Sequence, residues 1–419
     1  MAITICNAAR LLEPILWVIV VRFAHYFVGQ YLMHTANFLR RLKRAGLEQA
    51  LLFGVRPDSN RESNHYLGKK WGERFIVATL ADRAFDKLSV KRGHPGGLDL
   101  ELRYLARDRT RTLLFQTRHL YSYKTFPHAV SLDFLDSSYK WWTDPEQTPA
   151  DVVAPFSFGE AERAEAKERL AGMGINRDDS YILFLGRDGN YLKTHIPETD
   201  FSDFDYRNVD IAKYLPAMNW VVDNHMKAVR IGRHVAEPLG VSREGIIDYS
   251  SMPPDDFLDV HLMANCLFLV SANTGMYYLA LLLGKWLLAC NMPHIYAPGN
   301  EFRFYRRCYT FKKYWCHKKR RFLSFREIFQ RRIEYLSRTR TYFINGITLV
   351  ENTGEELLAA VRETCARASG QWVATAGETE IQNKYKSLLD EFFPNLGAGI
   401  GGVLSYNFMR ANPWLLADA

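Results

Sequence analysis

Paired cysteines, low-complexity tracts and a long apolar run are all missing from this 419-residue chain. Its six cysteines, Cys6, Cys266, Cys290, Cys308, Cys316 and Cys365, are scattered; there is no C-x-x-C pair and, the neighbours Cys316 and His317 aside, no histidine at zinc spacing. That scatter argues against a disulfide framework or a zinc site and for free thiols in a reducing cytoplasm. The greasiest stretch, residues 11–32, is broken by Glu13, Pro14, Arg22 and His25. Only residues 15–21 (ILWVIVV) run on unbroken, against the roughly 20 that a helix needs to cross a bilayer. Without a charged leader or a small-residue cleavage site beside it, the run is expected to be a buried parallel strand.

What is present suits a globular protein of two domains. The length exceeds one ordinary core, and 47% apolar against 24% charged residues leaves enough material to bury two. A net charge of +8 favours anionic partners such as nucleotide sugars or phospholipid surfaces. The charge is concentrated: Lys and Arg crowd residues 303–340, opposed there only by Glu327 and Glu334. Aromatic residues interleave with them, which fits a solvated basic face over an aromatic core, a patch that meets anionic lipid, or a nucleic-acid surface. No nucleic-acid-binding fold signature accompanies the stretch, so nucleic acid is not expected as a partner.

Along the chain, short apolar runs at 15–21, 50–55 and 75–80 predict an N-terminal α/β domain over residues 1–155, with no readable periodicity from 91 to 155. Residues 158–173 (FGEAERAEAKERLAGM) predict an amphipathic helix that opens a second domain, residues 156–395. From 181 onward strands at 181–186, 227–231, 246–249, 266–271 and 286–290 alternate with helices at 209–225, 255–264 and 275–283. Such alternation builds a doubly wound parallel sheet whose ligands bind at the carboxyl ends of its strands. Residues 303–340 form an insertion in this domain, and 396–419 a C-terminal tail.

The strand ends are therefore where chemistry is expected. Strand 181–186 runs into Arg187 and Asp188, strand 227–231 into Gly232 and Arg233, and 246–249 contains Asp248. Strand 266–271 opens into Ala272, Asn273, Thr274 and Gly275, a turn that could serve an anion or simply start a helix. Arg207 precedes the helix predicted from 209. Arginine forks suit a diphosphate, since they give bidentate, charge-assisted hydrogen bonds. Surface pairing of Arg187 with Asp188, or of Arg230 with Asp248, is the alternative. The acids Asp255, Asp256 and Asp259 are explained by the helix dipole alone.

Taken in order, FLGRDGNYL, DYRNVDIAKYLPA, AVRIGR, IIDYS and DDFLDVHLMANCLFLVSANTGMYYLALLLGK resemble a family of bacterial glycosyltransferases of surface polysaccharides. The opening VVRFAHYFVGQYLMHTANFLRRLK is similar to that family's strand, Arg-x-Gly-His loop and helix, with Ala24 in place of the usual glycine. The likeness covers residues 15–53 and 181–291. It implies a GT-B-like α/β fold, two Rossmann-like domains facing across a cleft, with nucleotide in the second and acceptor mainly in the first. More distantly, the Ser271 to Gly275 turn resembles that of heptosyltransferases, with Asn273 where those have aspartate and Tyr278 where they often have histidine.

On that basis Arg187, Arg207, Arg233, Asp248, Asn273, Thr274 and Gly275 are expected to bind the donor. His25, just after the first strand, and then Asp188 are candidates for the catalytic base. No metal or other cofactor is expected. The implied enzyme is a nucleotide-sugar-dependent glycosyltransferase of surface glycans, lipid-linked acceptors included. It would be cytoplasmic and peripheral at the inner membrane face through 303–340. A non-catalytic nucleotide- or sugar-binding subunit of a polysaccharide assembly complex is the rival.

Overall fold

The computed structural model describes strands and short segments between residues 18 and 116, then residues 157–295, 306–334, 336–394 and 401–417. The chain forms two compact units, one of residues 1–144 and 154–157 and one of residues 145–153 and 158–419.

Among the described residues of the first unit, four strands, β1 (Val18–Arg22), β2 (Leu51–Pro57), β3 (Ile76–Leu80) and β4 (Thr112–Gln116), pair in the order β3-β2-β1-β4. All pairings are parallel, with Val18 opposite both Leu51 and Thr112. Three strands fall on the expected apolar runs. The fourth, the edge strand TLLFQ, lies in the stretch without periodicity, because a five-residue run is too short to show an alternation. The helix His65–Gly72 begins at Asn64, whose side chain accepts the Leu67 N–H at 2.8 Å. His25 lies outside the described residues, and of the helix expected after it only Leu39, which is helical, is described.

The second unit holds a seven-stranded sheet. Its strands are β5 (Tyr181–Leu185), β6 (Lys227–Arg230), β7 (Ile246–Asp248), β8 (Phe268–Ser271), β9 (Trp286–Met292), β10 (Arg307–Phe311) and β14 (Val403–Leu404). They run in the order β14-β10-β9-β8-β5-β6-β7, every pairing parallel. The chain therefore starts in the middle, builds outward through β6 and β7, then returns to the other side of β5 with β8. The reversal between β5 and β8 is the topological switch point of a doubly wound sheet. Covering one face, the helices Leu215–Asp223 and Gly354–Ala368 bury Met218, Val221, Leu357 and Val361 against Phe184, Val270 and Leu288.

Two features depart from the sequence expectations. The helix predicted over 209–225 is split into a 3-10 turn, Ile211–Tyr214, and the helix Leu215–Asp223. Pro216 explains the late start, since it sits in the first helical turn where its missing N–H costs nothing. The C-terminal segment, for its part, supplies edge strand β14 and the helix Tyr406–Ala411.

Within residues 303–340 the chain is built rather than appended. The stretch is not an insertion: it supplies β10 to the main sheet, and its strands β11 (Lys313–Cys316) and β12 (Arg321–Phe322) join β13 (Ile347–Val350), beyond it, in an antiparallel sheet of order β12-β11-β13. Tyr309, Phe311, Tyr314, Phe325 and Phe329 are buried, which is the aromatic core of the first of the three expectations for this stretch. Among the described residues no helix is long and apolar enough to cross a membrane. Cys266, Cys290, Cys308, Cys316 and Cys365 are free thiols.

Candidate functional site

Strand β5 is buried along its whole length and delivers Arg187 just past its carboxyl end. Its guanidinium donates to the Phe204 carbonyl at 3.2 Å and to the Asn208 side chain. Arg187 is itself largely buried, and burial, then the neighbouring Arg207, pulls its pKa down to about 10. A positive group held beside another in a desolvated place favours a negative visitor.

Arg207 ends the 3-10 helix Ser202–Arg207 and points toward the other side of the switch point. It donates to the Asn273 side chain at 3.3 Å, just past β8, and lies over the rings of Phe204 and Tyr206. Its Nε is buried with no hydrogen-bond partner among the described residues. An unmet buried donor costs about 1–3 kcal/mol, so this one is either a strain reservoir or a place kept for an acceptor.

Two further basic groups converge here that sequence reasoning did not single out. Lys312, buried at the junction of β10 and β11, donates to the Tyr206 carbonyl at 3.1 Å and also to that of Asn208. It thereby fastens the segment that carries Arg207. Burial brings its pKa down to about 8, with Lys213 and Arg187 adding to the fall and Glu351 opposing it. His294, two residues beyond β9, contacts the Leu336 carbonyl through Nε2 at 3.1 Å and packs on Tyr206. Burial, reinforced by Arg207, depresses it to about 4, which leaves the ring neutral at pH 7. Lys312 was hidden in a run of basic residues of which most are exposed, and His294 lay just past the last strand read.

The remaining predicted residues sort themselves by what they already hold. Thr274 bonds Ser271 at 3.2 Å, and since the Ser271 hydroxyl donates to the Ala272 carbonyl, Thr274 is the donor. Asn273, Thr274 and Gly275 thus share the switch point with Arg187 and Arg207. Asp188 accepts the Asn190 N–H at 2.8 Å and the Ala236 N–H at 3.1 Å, tying the loop after β5 to the loop after β6. Asp248 is taken up by the Leu239 N–H, Ser250, Ser251 and, at 3.5 Å, Arg230. The pairing of Arg230 with Asp248 weighed above is therefore present, while Arg187 turns to Phe204 and Asn208.

Arg233 is drawn away from the cluster. It donates through Nε to Asp259 at 2.8 Å and meets Asp256 at 2.5 Å. Burial opposes the charge of Arg233, and the two carboxylates overcome it and hold the group protonated. Those acids, which the dipole alone explained, are the partners of an ion-pair network. Arg233→Ala is expected to lower stability by roughly 3 kcal/mol, because it leaves Asp259 buried without its cation. Thermal unfolding of the variant checks it.

Among the described residues no group of three or more His, Cys, Asp or Glu is placed to hold a metal ion. The cluster gathers guanidinium, ammonium, amide and hydroxyl groups around residues 204–208 and the turn after β8, group types that suit an oxyanion.

No protein-family model matches the chain, and no curated protein does. Solved structures do. The E. coli ADP-heptose LPS heptosyltransferase II is similar over 70% of this chain and 89% of its own, at 14% identity and a TM-score of 0.41. A family 9 glycosyl transferase from Veillonella parvula is similar over 70% and 85%, at 12% identity and a TM-score of 0.43. The E. coli heptosyltransferase WaaC with ADP is similar over 71% and 91%, at 13% identity and a TM-score of 0.39. All three of these neighbours are glycosyltransferases.

Proposed function

We propose that the second unit binds the diphosphate of a nucleotide sugar at the switch point, and that the protein transfers the sugar to a surface glycan, lipid-linked acceptors included. The observation that carries the anion site is the buried, unmatched Nε of Arg207, held between Asn273 and the Arg187, Lys312 and His294 cluster. The step from diphosphate to sugar rests on the likeness of the sequence blocks around these residues to polysaccharide glycosyltransferases.

In this reading Arg187 and Arg207 meet the departing diphosphate with preset donors, as a metal ion does elsewhere, while Asn273 and Thr274 line its other side. Preset donors matter most as charge builds on the leaving group, and losing one costs roughly 100-fold or more in turnover. Neutral His294 adds shape and a hydrogen-bonding edge without adding charge. Asp188 orients two loops at the site and, with His25, remains a candidate for the base. The acceptor is assigned mainly to the first unit, as the GT-B likeness implies, and the basic stretch 303–340 to an anionic membrane surface.

A thermal-shift screen of the full chain against UDP, GDP, CDP, CMP and ADP sugars tests the proposal. One class is expected to raise the melting temperature, because a ligand of the native state adds RT ln(1 + [L]/Kd) of stability. A screen in which no nucleotide or nucleotide sugar shifts the transition would end it.

The pH dependence gives a second handle. An anionic ligand prefers the protonated Lys312, so binding raises a pKa that stands at about 8 in the free protein. Affinity should be level below that value and fall as pH rises through it, by up to about tenfold per pH unit while the shift lasts. Calorimetric Kd values from pH 7 to 9.5 check it, with Lys312→Met expected to flatten the profile.

A further inference from the structure

Among the exposed large apolar side chains of the second unit, Val373 at 81% stands alone, whereas Phe343 at 84% and Ile344 at 76% are adjacent. Both end the short helix Thr339–Ile344, directly before the turn at Asn345 and Gly346 that leads into β13. Single exposed apolar residues are ordinary, whereas an adjacent pair at the tip of an element is not.

Their surroundings are rich in cations, with Asp203 paired to Arg338 and Arg340 and Glu327 to Lys319 and Arg321. The His317 N–H donates to the Gly346 carbonyl at 3.0 Å, which sets the turn 317–320 beside the turn that follows Ile344. Arg331 reaches the Cys316 sulfur at 3.4 Å and so brings its own turn to the same end. Lys318, Lys319, Arg320, Arg331 and Arg332 are all exposed there. Lys319 and the nearby Arg321 are bound to Glu327, whose carboxyl they help hold down at about 2, while Lys318 and Arg320 have no ion-pair partner among the described residues.

We infer that this end of the second unit docks on an anionic phospholipid surface, with Phe343 and Ile344 entering the headgroup boundary and Lys318, Arg320 and Arg332 meeting lipid phosphates. A polyanion such as RNA would use the cations and leave the apolar pair in water. A bilayer interface satisfies both, since basic residues flanking a few apolar ones are what binds there. The inference deepens the membrane assignment above and is independent of sugar transfer, so a chain that binds no nucleotide could still bind vesicles.

The test is co-sedimentation of the full chain with phosphatidylcholine vesicles, with and without phosphatidylglycerol. Binding is expected only with the anionic lipid and should weaken with salt. The Phe343→Ser/Ile344→Ser variant should bind at least about tenfold more weakly. Lys318→Ser/Arg320→Ser should lose about fivefold for each cation removed. All four positions are exposed, so both variants should melt with the wild type. A Phe343→Trp variant should show blue-shifted emission, relative to the wild type, when anionic vesicles are added. No binding to phosphatidylglycerol vesicles overturns the inference. So does equal binding by the Phe343→Ser/Ile344→Ser variant, which would mark the patch as a polyanion surface only.

Discussion

Arg207→Ala is expected to weaken binding of the nucleotide diphosphate by about 100-fold while changing the stability of the free protein by no more than about 1 kcal/mol. The first half follows from the buried Nε: the guanidinium is already oriented by Asn273 and two aromatic rings, and in the proposed complex a diphosphate oxygen would supply the acceptor it lacks. Charge-assisted hydrogen bonds of this kind contribute about 1.5–3 kcal/mol each. The second half follows from the repulsion between Arg207 and Arg187, which adds to burial in depressing the latter and is relieved when Arg207 goes. That relief offsets the loss of one bond to Asn273 and some ring contact. Arg207→Lys keeps the charge without the fork and should fall between, about tenfold weaker than the wild type. Isothermal titration with the diphosphate found in the screen decides the matter. Unchanged affinity in Arg207→Ala would remove the diphosphate from this position.

The largest structural effect is expected at Glu363. This carboxylate is fully buried on the helix Gly354–Ala368 and is the hub that holds the C-terminal segment. It accepts the Ser405 hydroxyl at 2.8 Å, the Tyr406 N–H at 3.1 Å and the Asn407 N–H at 3.0 Å. Arg367 donates to it at 2.9 and 3.1 Å. Glu363→Ala leaves Arg367 with Glu378 alone and strands N–H groups of the first turn of helix Tyr406–Ala411. Breaking one side of a buried pair costs about 3–5 kcal/mol. For a unit of this size that is a fall in melting temperature of roughly 10 °C. Limited proteolysis should find the C-terminal segment cut first, since Glu363 holds Ser405, which directly follows β14. Glu363→Gln keeps the size and part of the bonding and should lose less. A loss below about 1 kcal/mol in Glu363→Ala would show that the segment is held by apolar burial of Phe408 and Met409 instead.

Some of this was legible in one dimension. YILFL and FLVS are unbroken apolar runs, and a strand covered on both faces writes that signature whatever its neighbours are. Alternation with helices then implied a parallel sheet; the strand ends pointed to Arg187, Arg233 and Asn273, and a helix start to Arg207. The short strand TLLFQ and the edge strand at Val403–Leu404 were not legible, because two to five residues leave no period to detect and their partners supply the hydrogen bonds.

Side-chain roles divide in the same way. Residue type made Arg187, Arg207 and Arg233 equal candidates, since all three follow strands or precede helices. Only the fold separates them, by setting Asp256 and Asp259 against Arg233 while leaving Arg207 beside Asn273 with a donor unmet. It also brings Lys312 to the carbonyls of Tyr206 and Asn208, more than a hundred residues away in the chain. Local sequence determines which segments become strands and helices, because propensity and periodicity act over a few residues. Charge compensation acts through space, so which arginine stays available for a ligand was decided by tertiary packing alone.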